Sequence, residues 1–204
     1  MRTKTQVMKG LLSGKILLPI PAVATKFDLR HNNTDKQDHF DRTVLHNLES
    51  VVIEWSYQIR EVLKLESSLL LLRGLNVGPE TELGFWKGRQ DNLQCISEQF
   101  QSPDVQTMGN ILHAKESSYY TTFKTLSKEV EHALVEARDV ELHLRPLRQH
   151  IEFLRETEFP RTHILIPPLF HTICLIWSHS KFYSIPARII VLLQEFCNLL
   201  IDQV

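Results

Sequence analysis

The sequence predicts an all-α protein, a bundle of long antiparallel helices behind an extended N-terminal arm. Three observations lead there. Tyr119, Phe123, Leu126, Val130, Ala133, Ala137, Val140, Leu144, Leu147, Ile151 and Leu154 recur in alternating steps of four and three, the stripe of a coiled-coil-like helix face. A second stripe, Phe40, Val44, Leu48, Val51, Trp55, Ile59 and Val62, puts its apolar side chains on one helical face in the same way. Glycines number seven in 204 residues, and no segment alternates apolar and polar residues between turn signals, so no strand is expected.

In chain order, residues 1–37 show no sustained period. "LLPIPAV" followed by "RHNNTDKQD" reads as an extended arm and polar linker, leaving 38–204 as the bundle. Asp38 is placed to cap the first helix by accepting hydrogen bonds from its free amides. The run "SSLLLLRGLNVGP" continues that helix or ends it before Gly74. Gly78-Pro79 is a break. "ETELGFWKGRQDNLQ" then opens a helix of about 15–20 residues, with Trp86, Leu93, Ile96 and Phe100 on one side. Pro103 starts a short helix carrying Val105, Met108, Ile111 and Leu112.

The long stripe meets Pro146, which cannot donate to the carbonyl of Leu142, so a kink or break is expected there, with Pro146 opening a new helix. On the polar side, Glu141 with Arg145 and Arg148 with Glu152 have the spacing of helical ion pairs. One further helix starts at Pro167-Pro168 with Leu169, Ile173, Ile176 and Trp177. Another starts near Pro186 with Ile189, Ile190, Leu193, Phe196 and Leu200. The chain stops within that last apolar run, which reads as a domain truncated at its C-terminus.

A net charge of -1 leaves no electrostatic footprint for nucleic acid or an anionic membrane. Cys95, Cys174 and Cys197 are odd in number and widely spaced, which suits buried reduced thiols of a cytosolic protein rather than disulfides. "GLLSGKILLPIPAVAT" is broken by Lys15 and two prolines, a poor export signal. "ILIPPLFHTICLIW", at 14 residues, falls short of the roughly 20 needed to span a bilayer and reads as a buried core helix.

No reactive constellation emerges. "GLLSGK" has three residues where a phosphate loop needs four, and Ile16 where it needs Ser or Thr. His39 and His46, like His143 and His150, are two helical turns apart, about 10 Å, too far to share one zinc. Glu49 and Glu54 do not share a helix face, nor do Glu129 and Glu131. "SHS" at Ser178–Ser180 lacks a nearby acid and the elbow glycines of a nucleophile. No catalytic, cofactor or metal site is assigned. The adjacent Phe85 and Trp86 in a polar run point instead to helix anchoring. Trp55 and Trp177 are read the same way, and Ala133 and Ala137 let a neighbouring helix come close.

"LESVVIEWSYQIREVL" followed by "ELGFWKGRQDNLQCI" resembles the N-terminal tail region of dynein heavy chains. The pattern falls on Glu49, Ser50, Ile53, Trp55, Gln58 and Ile59, then on Glu82, Phe85, Trp86, Arg89, Asn92 and Leu93. "SSYYTTF", "EARDVELHLRPLRQHIE" and "ICLIWSHSKFYSIPARIIVLLQEFCNLLI" continue it, so that it runs from Leu17 to the end, and the last is most similar to axonemal, outer-arm β-type chains. The resemblance implies a non-enzymatic tail segment without the family's ATPase modules. Its implied partners are other dynein heavy chains and dynein intermediate chains, and it meets microtubules only through the wider complex. The implied location is the cytoplasm and cytoskeleton, in the axoneme of a cilium. The alternative is a free-standing truncated tail that acts as a competitor or regulator of dynein arm assembly. Trp177 is the last of the signature positions.

Overall fold

A computed structural model describes residues 35–64, 79–157 and 159–201. Among the described residues there are six α-helices, α1 (Asp35–Leu63), α2 (Pro79–Gln101), α3 (Pro103–Ala114), α4 (Tyr119–Glu156), α5 (Ile166–His179) and α6 (Pro186–Ile201), with a 3-10 helix at Phe159–Ile164. No strand occurs among the described residues, and the protein is all-α. The arm before residue 35, "GLLSGK", the run "SSLLLLRGLNVGP" and the side chains of Asp38, His39 and Phe40 lie outside the described residues.

α1 starts at Asp35, so Asp38 lies within the helix and is not its cap. α2 starts on Pro79 with Glu80 and Glu82 in its first turn, and its 23 residues exceed the expected length. It ends because Pro103 forces Ser102 into an extended conformation. α3 closes over Glu116, whose φ of 52° lies in the left-handed region. There the Ser117 amide donates to the Leu112 carbonyl at 2.9 Å.

α4 corrects the expectation that Pro146 could break the stripe and open a new helix. It is a single helix of 38 residues with Pro146 inside it. Leu142 and Pro146 are both exposed, so water can serve the carbonyl that proline leaves free. Leu144, Leu147, Ile151 and Leu154 are buried on either side of the proline and hold the helix through it.

The chain divides into two compact units, Met1–Lys64 with Asn92–Leu134 and Leu65–Asp91 with Val135–Val204. The first has Val44, Leu48, Val52, Trp55 and Ile59 buried on α1, with Met108, Ile111 and Leu112 buried on α3. Its rings pack in series: Trp55 meets Phe100 edge-on at 5.7 Å, and Phe100 meets Phe123 at 5.5 Å. The second buries Leu83 and Trp86, Ala137 to Leu154 along α4, Leu169, Ile173 and Ile176 on α5, and Ile189, Leu192 and Phe196 on α6.

Candidate interaction site

The polar signature in the first unit is mostly internal wiring. Glu49 accepts a hydrogen bond from the Ser117 hydroxyl at 2.6 Å, tying α1 to the turn before α4. Ser50 donates to the carbonyl of His46, within its own helix. Ile53 is half-buried, while Trp55, Ile59 and Leu93 are buried and Asn92 is half-buried. Gln58 is 8% exposed, and its buried Oε1 accepts no hydrogen bond among the described residues. An unsatisfied buried acceptor costs about 1–3 kcal/mol.

In the second unit, Trp86 is fully buried and its Nε1 donates to the Tyr183 hydroxyl at 3.0 Å. That hydroxyl donates in turn to Glu82 Oε1 at 2.5 Å. Burial, and then the neighbouring Glu82 charge, push the Tyr183 pKa well above its ordinary value. Half-buried Phe85 stands edge-on to Trp86 at 5.6 Å, and Phe182 does so at 4.5 Å. The Arg188 guanidinium covers the outer face of Phe182 at 3.8 Å. Burial lowers the pKa of Arg89, while the charge of Glu136 acts to raise it.

Arg148 grips buried Glu141 through two hydrogen bonds, 2.6 and 3.0 Å, and donates to the Leu83 carbonyl at 3.2 Å. This corrects the pairing read from four-residue spacing with Arg145 and Glu152. Seven residues are two turns, which sets Arg148 beside Glu141 on the same side.

Trp177 is the main departure. Expected as an anchor, it is 40% exposed. α5 buries Leu169, Ile173 and Ile176, while Ile166, Phe170, Cys174 and Trp177 follow steps of four, four and three along an adjacent, exposed flank. The segment "ILIPPLFHTICLIW" is therefore apolar on two sides, with one of them open. Ile190 on α6 is likewise exposed, and Leu193 and Leu200 are half-buried. Cys174 and Cys197 are exposed and Cys95 is half-buried, against the expectation of buried thiols. Each of the exposed pair follows a buried residue, Ile173 or Phe196, and a 100° step turns it outward.

No group of three metal-ligating side chains occurs among the described residues. His143 stacks on His179 at 6.1 Å, and each Nδ1 contacts a carbonyl of its own helix. Ser178 Oγ lies 2.9 Å from His179 Nδ1, and both side chains also contact the Leu175 carbonyl, so the pair is an exposed helix-end arrangement.

The family described as dynein heavy chain, N-terminal region 1, matches residues 45–204. This chain belongs to the dynein heavy chain family. It is 56% identical, over all of its length, to dynein axonemal heavy chain 11 of Sus scrofa. It is 45% identical over 99% of its length to the ciliary dynein beta chain of Tripneustes gratilla. To the dynein beta chain of the flagellar outer arm of Chlamydomonas reinhardtii it is 39% identical over 95%. The chain spans 4% of the length of each of these relatives.

All the signature positions, Glu49 to Trp177, fall within the matched dynein heavy chain region. The structure divides them between two neighbourhoods, the α1 group with Leu93 and Asn92, and the Phe85–Trp86–Arg89 group. It gives Trp177 a third place, on the open flank of α5. Phe182 and Tyr183 escaped sequence reading because they sit in the turn between α5 and α6, where no helical period marks them. Their one signal was an adjacent aromatic pair next to a short polar turn.

Proposed function

We propose that this chain is a non-catalytic tail segment of an axonemal dynein heavy chain. It scaffolds heavy-chain association and the binding of intermediate chains within a microtubule motor complex for ciliary movement. Its place of action is the axoneme, as the names of the axonemal and ciliary relatives suggest. The observation that carries this reading is the apolar flank Ile166, Phe170, Cys174 and Trp177, left open on a helix that already buries another side. Contiguous exposed apolar surface of this kind favours association with another protein.

The test is co-precipitation of the tagged chain from ciliated cells, followed by identification of the recovered proteins. Recovery of dynein heavy and intermediate chains, weakened by Phe170→Ser with Trp177→Ser, supports the scaffold role. Recovery of neither class, from a chain that circular dichroism shows to be folded, rejects it.

A further inference from the structure

A groove of about 230 Å³ lies between α3 and the first turns of α4. Its floor is apolar. The Phe123 ring comes so close to Gly109 that a Cβ there would meet Cε1 at 2.8 Å. The α4 rim carries Lys124 and Lys128, one helical turn apart, with Ser127 beside them. Lys124 Nζ sits 5.2 Å from the Tyr120 ring centroid, and neither lysine makes an ion pair among the described residues. The opposite rim adds Gln106 and Asn110, with Gln106 held by its Nε2 donating to the Phe100 carbonyl at 2.7 Å. No carboxylate lines the groove among the described residues.

This volume is below the roughly 300–1,000 Å³ of small-molecule sites, and the groove suits an inserted side chain better than a cofactor. We propose that it docks a glutamate-rich segment of a partner protein. The methylenes of one glutamate rest against the edge of the Phe123 ring, which itself covers Gly109, while its carboxylate and a neighbouring one pair with Lys124 and Lys128. Charge complementarity selects this occupant. Two ammonium groups with no ion pair among the described residues stand together, and a net charge of -1 gives the chain no basic excess to track a nucleic-acid backbone. A free phosphate would leave the aromatic floor unused. The proposal stands apart from the tail reading, since it needs only this groove.

The experiment measures fluorescence anisotropy of a labelled peptide of alternating glutamate and glycine against the purified full chain. The controls are the matching glutamine peptide, inorganic phosphate and phosphatidylserine vesicles. The glutamate peptide is expected to bind about tenfold more tightly than the glutamine peptide, with affinity falling as salt rises. Lys124→Glu with Lys128→Glu should cost about a further tenfold, since each substitution removes an attraction and adds a repulsion. Both lysines are exposed, so the fold tolerates the change; Lys124→Gln with Lys128→Gln should show a smaller loss in the same direction. Lys87→Glu, another exposed lysine, should leave binding unchanged. Equal binding of the two peptides, an equal loss from Lys87→Glu, or lysine-dependent capture of phosphate or vesicles in place of the peptide would each overturn the proposal.

Discussion

Trp86 and Trp177 belong to the same unit, and both lie on helices with an apolar stripe, yet their surroundings are opposite. Trp86 has no exposed surface, two rings stand edge-on to it, and its N–H is satisfied by Tyr183. Trp177 is 40% exposed beside Ile166, Phe170 and Cys174 on an open flank. The contrast separates two uses of an aromatic residue. One holds helices together; the other leaves apolar surface for something outside the described residues to cover. Helical spacing alone does not distinguish them, because both obey it.

The largest effect should come from breaking the first use. Trp86→Ala removes the centre of the ring cluster and leaves Tyr183 without a donor, for an expected loss of about 3–5 kcal/mol. Chemical denaturation read by circular dichroism measures it. A loss below about 1 kcal/mol, the scale of an ordinary surface change, would show that Trp86 is no more structural than Trp177.

Overpacking sharpens the same division between inner and outer faces. Ala137 is fully buried on α4, whereas Val135, two residues earlier, is 60% exposed. Ala137→Leu should destabilise by about 1–3 kcal/mol, while Val135→Leu stays within about 0.5 kcal/mol. Equal melting temperatures for the two variants would remove Ala137 from the packed side.

Tyr183→Phe tests the hydrogen-bonded chain alone. It keeps the ring but strands the buried Trp86 N–H, at about 1–3 kcal/mol. It also changes the pH response. The folded-state pKa of Tyr183 is raised, so its contribution is complete below the unfolded value near 10 and is lost as pH climbs from there toward the folded value. The stability gap between wild type and Tyr183→Phe should therefore narrow in alkaline solution. A gap that is constant with pH would mean that the phenol is not protected.

The helices were legible because long stripes repeat a physical period many times. Val44, Leu48, Trp55 and Ile59 on α1, and Phe123 through Leu154 on α4, all have buried positions to match. The polar partners were harder to read. Glu141 joins Arg148 at two turns rather than Arg145 at one, and choosing between them depends on which side of α4 is covered. Pro146 suggests a kink or break because its local cost is visible in sequence, whereas the buried leucines that carry the helix through it act through tertiary packing. The cluster completed by Phe182 and Tyr183 depends on a turn that brings together residues about a hundred positions apart, and no window-based reading spans that distance.

The smallest expected change in stability belongs to Trp177, and it carries the functional half of the contrast. Trp177→Ser gives up the part of the ring that is covered, about 1 kcal/mol, so the fold should survive. What should fall is partner recovery. Cys174 offers an independent readout, since its exposed thiol lies on the same flank. With Cys95 and Cys197 replaced by serine, maleimide labelling of Cys174 should be rapid in the isolated chain and slow after assembly with the recovered partners. Trp177→Ser should restore rapid labelling in that mixture, because the cover no longer binds. If Cys174 labels equally fast before and after assembly, the partners sit elsewhere. The open flank of α5 then loses its role, while the buried cluster around Trp86 keeps its own.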